Sequence, residues 1–229
     1  MKILHWYYDI MNLYGEYGNV KILERHLKDQ DIDVIVDKKT LGDEVNLDEY
    51  DFVYIGCGTE KNQEVVLEDI KKYKDEIKSY IESDKIFLAT GNSYEMFGNL
   101  IGKKEGLKIF DFEVERAKDR ITSDVIYSSE YFENKIVGFV NKMSNITYNL
   151  NHLFKVEFGI GENENKDYEG VKHKNFYGTY ISGPLLVRNP EILETFVKKL
   201  SSNYKKIEYT NEEEGYKLVL NELLKRMER

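Results

Sequence analysis

A chain of 229 residues is long enough for one α/β domain with a sizeable core, and 41% hydrophobic with 33% charged residues describes a soluble globular protein. A net charge of −9 argues against nucleic acid and anionic membrane as partners, and no apolar run reaches the length of a membrane span. The single cysteine, Cys57, excludes an internal disulfide framework and a cysteine-based metal site, and the N-terminus turns polar too early for a signal peptide, so a cytoplasmic location is the default.

Residues 2–7 read as a first strand and residues 12–18 as a polar, glycine-bearing loop. Asn19 is placed to cap a helix running to about Gln30, with Val20, Leu23 and Leu27 at helical spacing. Residues 32–36 form a short alternating strand, and residues 51–55 a strand that ends at Gly56-Cys57-Gly58. Residues 63–83 predict one long amphipathic helix with Val66, Ile70, Tyr73, Ile77, Tyr80 and Ile81 on one side. Residues 85–89 are a buried-type strand, followed by a sharp turn and a helix from Ser93, which is placed to cap it.

The second half predicts shorter, partly antiparallel strands over residues 110–127, 135–141, 154–161 and 175–181. Pro190 suits the first position of a helix reaching Leu200, where its missing N–H costs nothing. Asn211 and the glutamates after it open a last helix over about 211–228 with capping-box spacing, and Val219, Leu220, Leu223, Leu224 and Met227 form its apolar stripe. With no repeat, low-complexity segment or linker, the expectation is one domain over residues 1–229.

Alternating strands and helices imply a three-layer α/β fold with a mostly parallel central sheet. Ligands of such sheets sit at the carboxyl ends of the strands, where the loops 12–18, 56–58 and 91 all fall. The strand–turn–helix at residues 88–98 is an elbow of the kind that presents an activated nucleophile, yet it carries Gly91.

Several segments, in order, resemble class I glutamine amidotransferases of the cobyric acid synthase type, and among these the amidotransferase subunits of lipid II isoglutaminyl synthases. Asp9 to Asn19 resembles their N-terminal signature, and Gly56, Cys57 and Gly58 their glycine-rich oxyanion loop. Residues 89–98 resemble the elbow, normally Cys-Gly-Gly-Tyr-Gln; residues 136–141 resemble the Gly-Phe-Glu-Asn segment; and residues 178–190 resemble the segment that carries the histidine. The resemblance implies a flavodoxin-like fold and glutamine hydrolysis by a thiolate, a histidine and backbone oxyanion donors. The ammonia would pass to a Mur-ligase-like partner, and no cofactor is implied.

Tyr94, Met96, Phe97 and Gly98 fix the elbow alignment, so the cysteine position is Gly91 and the next two glycines become Asn92 and Ser93. Gly183-Pro184-Leu185-Leu186 places the histidine position on Ser182. Both members of the reactive pair are replaced, and loss of the nucleophile alone removes covalent catalysis. Cys57 is either a substitute nucleophile or a small buried residue, and Ser93 and Thr90 lack a base. By the resemblance, Arg120 holds the α-carboxylate of glutamine; without it, Arg120 is a surface ion-pair residue. Asn12, Tyr14, Asn92 and Tyr94 are ligand-binding candidates, with turn formation and capping as the competing account of Asn12. Glu95 takes the family's glutamine position in the first turn, where a carboxylate suits the helix dipole. His5, His26, His152 and His173 lack metal-ligand spacing.

Three functions follow. The first is a catalytically silent amidotransferase-like subunit that binds or regulates a Mur-ligase-like partner. The second is an active amidotransferase using Cys57. The third is a sensor of glutamine or another small amino acid, without chemistry.

Overall fold

The computed structural model describes residues 1–147, 151–163 and 167–228. In chain order the elements are β1 (Lys2–Trp6), α1 (Tyr17–Asp29), β2 (Ile35–Lys39), β3 (Phe52–Ile55), α2 (Glu60–Ile70), α3 (Lys74–Glu82) and β4 (Ile86–Thr90). There follow β5 (Leu100–Ile101), β6 (Lys104–Glu105), β7 (Glu113–Ser129), β8 (Phe132–Ile146), β9 (His152–Phe158), β10 (Tyr168–His173), β11 (Phe176–Thr179) and β12 (Ile181–Ser182). The chain ends with α4 (Leu185–Arg188), α5 (Pro190–Leu200) and α6 (Thr210–Met227).

The central sheet is parallel over β11-β4-β3-β1-β2. Every residue of β3 and β4 is buried, as expected of strands covered on both faces. Phe52 pairs in register with Ile86, so Phe52 and Phe87 project to opposite faces. Phe196 of α5 packs against Phe52, and Tyr80 of α3 packs edge-on against Phe87. Helices therefore cover both sides. Beyond β11 the sheet continues antiparallel through β10, β9, β7, β8 and β12.

Several local expectations are corrected. Asn19 does not cap α1: the helix begins at Tyr17, and Asn19 lies buried inside it, where its amide serves tertiary contacts. The long helix is two. Thr59 caps α2 by accepting from the Asn62 N–H, and one tight turn at Lys71–Tyr73 separates α2 from α3. The phenol of Tyr73 is anchored there on the 43–45 loop, donating to Asp43 O and accepting from Val45 N.

After β4 the chain forms a 3-10 turn over Gly91–Phe97 rather than an α-helix. Ser93 does not cap it; its hydroxyl donates to Ile55 O and Thr90 O at 3.0 and 2.8 Å. The first turn of α6 has no side-chain cap, because Glu212 is instead held by Arg25 and His26. Leu223 of α6 packs on Ile126 and Val137, with Val219, Leu220 and Leu224 around them, while Met227 is exposed. The second edge of the parallel sheet, β2, falls at 35–39 rather than 32–36, and β10 has no counterpart among the predicted strands.

Candidate functional site

The three glycine-bearing loops meet at the carboxyl ends of β1, β3 and β4, and the Leu13 N–H donates to Cys57 O at 2.9 Å. Gly56 and Gly58 are required by close backbone approach. A Cβ on Gly56 would stand 2.5 Å from Met11 O, and one on Gly58 would stand 3.0 Å from Ile10 O and closer still to the Met11 sulfur.

The elbow keeps its strained form, with Gly91 at φ +62°. A Cβ at position 91 would lie 2.5 Å from Cys57 Sγ and nearer to its Cβ. The thiol of Cys57 therefore fills the space that any side chain on the elbow would need. Burial pushes this thiol up to about 12, the Glu16 carboxylate adds to the effect, and a backbone hydrogen bond from Asn92 opposes it. A thiol so raised is protonated at neutral pH.

Ser182, at the histidine position, is buried, and its hydroxyl donates to Phe139 O at 3.4 Å. The histidines lie elsewhere. His5 packs beside Tyr54 on β1, and burial, with help from Lys38, pushes it down to about 4. His26 stacks on Tyr209 and pairs with Glu212, His152 stacks on Tyr168, and His173 pairs with Glu82.

Asn92 sits between the elbow and the oxyanion loop. It is 7% exposed, and its Oδ1 accepts from the Gly58 N–H at 3.0 Å. Tyr94 is fully buried between Tyr180 and Phe112, out of reach of a molecule entering from solvent. Asn12 Oδ1 accepts from Tyr17 N at 2.7 Å and so shapes the first loop. Tyr14 is 46% exposed at φ +59°, and its phenol accepts from Asn141 Nδ2 at 2.9 Å. Arg120 donates to Asn141 Oδ1 at 2.7 Å and to Glu60 Oε1 at 2.9 Å. A polar bridge thus runs Glu60–Arg120–Asn141–Tyr14 between α2, the β7–β8 hairpin and the first loop. The guanidinium is already engaged within the chain.

Under the crevice lies a buried network. The Glu16 carboxylate accepts from Tyr54 at 2.5 Å, from the Gly183 N–H at 2.5 Å and from Thr90. Burial raises its pKa, and these donors, with the backbone of Cys57, oppose the rise. Asn19 donates to the Tyr54 phenol and accepts from Leu186 N, both at 2.8 Å. The first loop, the oxyanion loop, the elbow and the segment after Ser182 are thereby tied together. A second network holds the far side of the elbow. Gln63 donates to Asn92 O and to Glu95 Oε2, while Arg116 donates to Gln63 Oε1 and Glu95 Oε2. Ser144 donates to Glu95 Oε1.

Residues 2–190 match the CobB/CobQ-like glutamine amidotransferase domain. The chain belongs to that family. It is similar to the GatD subunit of lipid II isoglutaminyl synthase (glutamine-hydrolyzing) from Staphylococcus aureus, at 32% identity over 204 residues, covering 87% of this chain and 84% of the relative. The GatD subunit from Streptococcus pneumoniae is 30% identical over 200 residues, covering 84% and 77%. The fold resembles that of a PurLQS structure from Thermotoga maritima, with TM-score 0.63, 12% identity and coverage of 87% and 99%. A glutamine amidotransferase from the same organism gives TM-score 0.52 at 16% identity, covering 99% and 97%.

Within this amidotransferase fold, sequence reasoning missed Glu16, Asn19 and Thr90 as one network, and Gln63, Glu95, Arg116 and Ser144 as another. The available signal was a polar residue on an otherwise buried face: Gln63 aligns with Val66, Leu67 and Ile70 on the inner side of α2. Among the described residues, no group of three or more His, Cys, Asp or Glu could hold a metal ion, and no helix is long and apolar enough to cross a membrane.

Proposed function

We propose that this chain is a GatD-like amidotransferase subunit that keeps the scaffold of the family without its glutaminase chemistry, and that it binds or regulates a Mur-ligase-like partner in the cytoplasm. The observation that carries this reading is the elbow itself. Position 91 is glycine, and the space its side chain would need is filled by a protonated, buried thiol. Serine at position 182 removes the proton shuttle as well. Similarity over most of the chain to subunits of lipid II isoglutaminyl synthase supports the partner class. The test is glutamate release by the purified protein, alone and with a Mur-ligase-like protein. The expected outcome is none in either case; robust release overturns the reading.

A second reading is favoured by one distance. Cys57 Sγ lies so near the Cβ site of position 91 that it would present sulfur to almost the same point in the crevice. Against it stand the raised thiol pKa and the four histidines, each of which packs or pairs with other residues. An electrophilic glutamine analogue that labels Cys57, with turnover abolished by Cys57→Ala, is the outcome this reading requires.

A further inference from the structure

In enzymes with a nucleophile elbow, the oxyanion hole combines the backbone N–H of the residue after the nucleophile with an N–H from a neighbouring loop. Here the corresponding donors are the N–H of Asn92 and the N–H groups of the 56–58 loop. One of these is in use: the Gly58 N–H is 3.0 Å from the Oδ1 of the Asn92 side chain. That acceptor is a primary carboxamide, the functional group of a glutamine side chain. It is buried, and among the described residues its Nδ2 has no hydrogen-bond partner. A buried amide held by its oxygen alone is costly, so something must hold it there. Gln63 does so from behind, donating to the Asn92 carbonyl at 2.5 Å.

We propose that Asn92 is an internal ligand: its carboxamide occupies the oxyanion subsite in place of a substrate carboxamide and keeps the crevice closed to glutamine. This deepens the silent-scaffold reading and rests on it. The sensor alternative then fails for carboxamide ligands, because the subsite that would recognise them is filled from within. A partner that responds to occupancy of this crevice would meet a chain held in the occupied form whatever the glutamine concentration. Ser93 acts with Asn92. Both replace residues that are glycine in the resembled motif, and both fasten the elbow to β3 and its loop.

The test compares isotopically labelled wild-type protein with Asn92→Gly, following the Gly58 amide by NMR and L-glutamine binding by calorimetry. In the wild type the Gly58 amide is protected from exchange and does not move with glutamine. In Asn92→Gly it exchanges faster and shifts on titration, with glutamine bound about tenfold or more tightly than by the wild type, the value of one freed hydrogen bond. Should Asn92→Gly not fold, Asn92→Ala removes the same acceptor with less backbone freedom. A folded variant whose Gly58 amide stays protected, or which binds glutamine no better than the wild type, overturns the internal ligand and leaves the silent-scaffold reading standing. Glutamine binding by the wild type at the affinity of the variant overturns it too. Glutamate release by the wild type, in contrast, removes the silent-scaffold reading whatever the titrations give.

Discussion

The lining of the crevice and the floor beneath it contrast. In the lining, the positions proposed to match the family's nucleophile and histidine carry Gly91 and Ser182, and the Cys57 thiol is raised by burial. In the floor, a carboxyl is kept fully buried at a desolvation cost and given donors from three different segments. One buried carboxyl serves all of these donors, so removing it would leave every one of them unsatisfied. The difference separates two roles that an active enzyme combines. On the proposed reading, the hydrogen bonds that hold the loops together are kept while the reactive side chains are replaced, as expected when a scaffold is retained for its shape.

The largest expected effect is on the floor. Glu16→Ala leaves the Tyr54, Thr90 and Gly183 donors without an acceptor and should cost about 3–5 kcal/mol by urea denaturation. Glu16→Gln, which keeps an acceptor, should cost clearly less. A cost of Glu16→Ala below about 1 kcal/mol would show that the carboxyl is not what binds the segments.

Next comes the lining itself. Gly91→Cys forces a Cβ against Cys57 and places a side chain at positive φ, for about 2–4 kcal/mol. Adding Cys57→Gly removes the clash, so the double variant should recover all but about 1 kcal/mol, the cost of the left-handed backbone. A simple sum of the two single effects in a double-mutant cycle would mean that the two side chains do not compete for one space.

The architecture was legible because it is carried by patterns in sequence. Buried runs such as residues 86–90, and glycines at three strand ends, place the sheet and its ligand edge without knowledge of side-chain partners. The antiparallel extension was read only in part: β7, β8 and β9 have counterparts, β8 runs well beyond the predicted 135–141, the predicted strand 175–181 is split into β11 and β12, and β5, β6 and β10, the last with little apolar alternation, have none. The assignment of the reactive positions to Gly91 and Ser182 rests on alignment with the resembled motifs alone. The side-chain partners were not. Asn19 looks like a cap and Ser93 like another, because short polar side chains favour helix ends, yet both serve contacts made only after the chain has folded. Glu16 sits in a glycine-bearing polar loop, and nothing local marks it as buried.

A smaller effect concerns a second buried acid, behind the elbow. Burial pushes Glu169 up to about 8, against the opposing hydrogen bonds from Tyr180 N and Thr179. Its folded pKa is above the unfolded value, so its contribution is fully present below about pH 4 and is lost as pH rises through 8. Lys142 has the opposite sign: burial lowers it to about 8, so its contribution is present above the unfolded lysine pKa and lost as pH falls through 8. The two act in adjacent windows: stability falls with pH up to about 8 through Glu169 and rises above about 8 through Lys142. The difference between wild type and Glu169→Gln isolates the acid, and should move by about 1–3 kcal/mol in favour of the variant between pH 6 and pH 9. A difference independent of pH would place the Glu169 carboxyl in its ordinary range.

The smallest effect belongs to the mouth, and it bounds the contrast between lining and floor. Arg120 bridges Glu60 and Asn141, but the ion pair is half in solvent, with 43% and 34% of the two side chains exposed. Exposed pairs contribute little, because solvent and salt screen them and two long side chains must be ordered to form them. Arg120→Ala should therefore cost no more than about 0.5–1 kcal/mol, and less at high salt than at low. If the substitution costs as much as Glu16→Ala, the mouth is part of the structural framework and the line drawn between floor and lining fails. If it costs little, the bridge sits over the crevice as a weak closure, and the lasting hold on these loops lies below it, in the hydrogen bonds of Glu16.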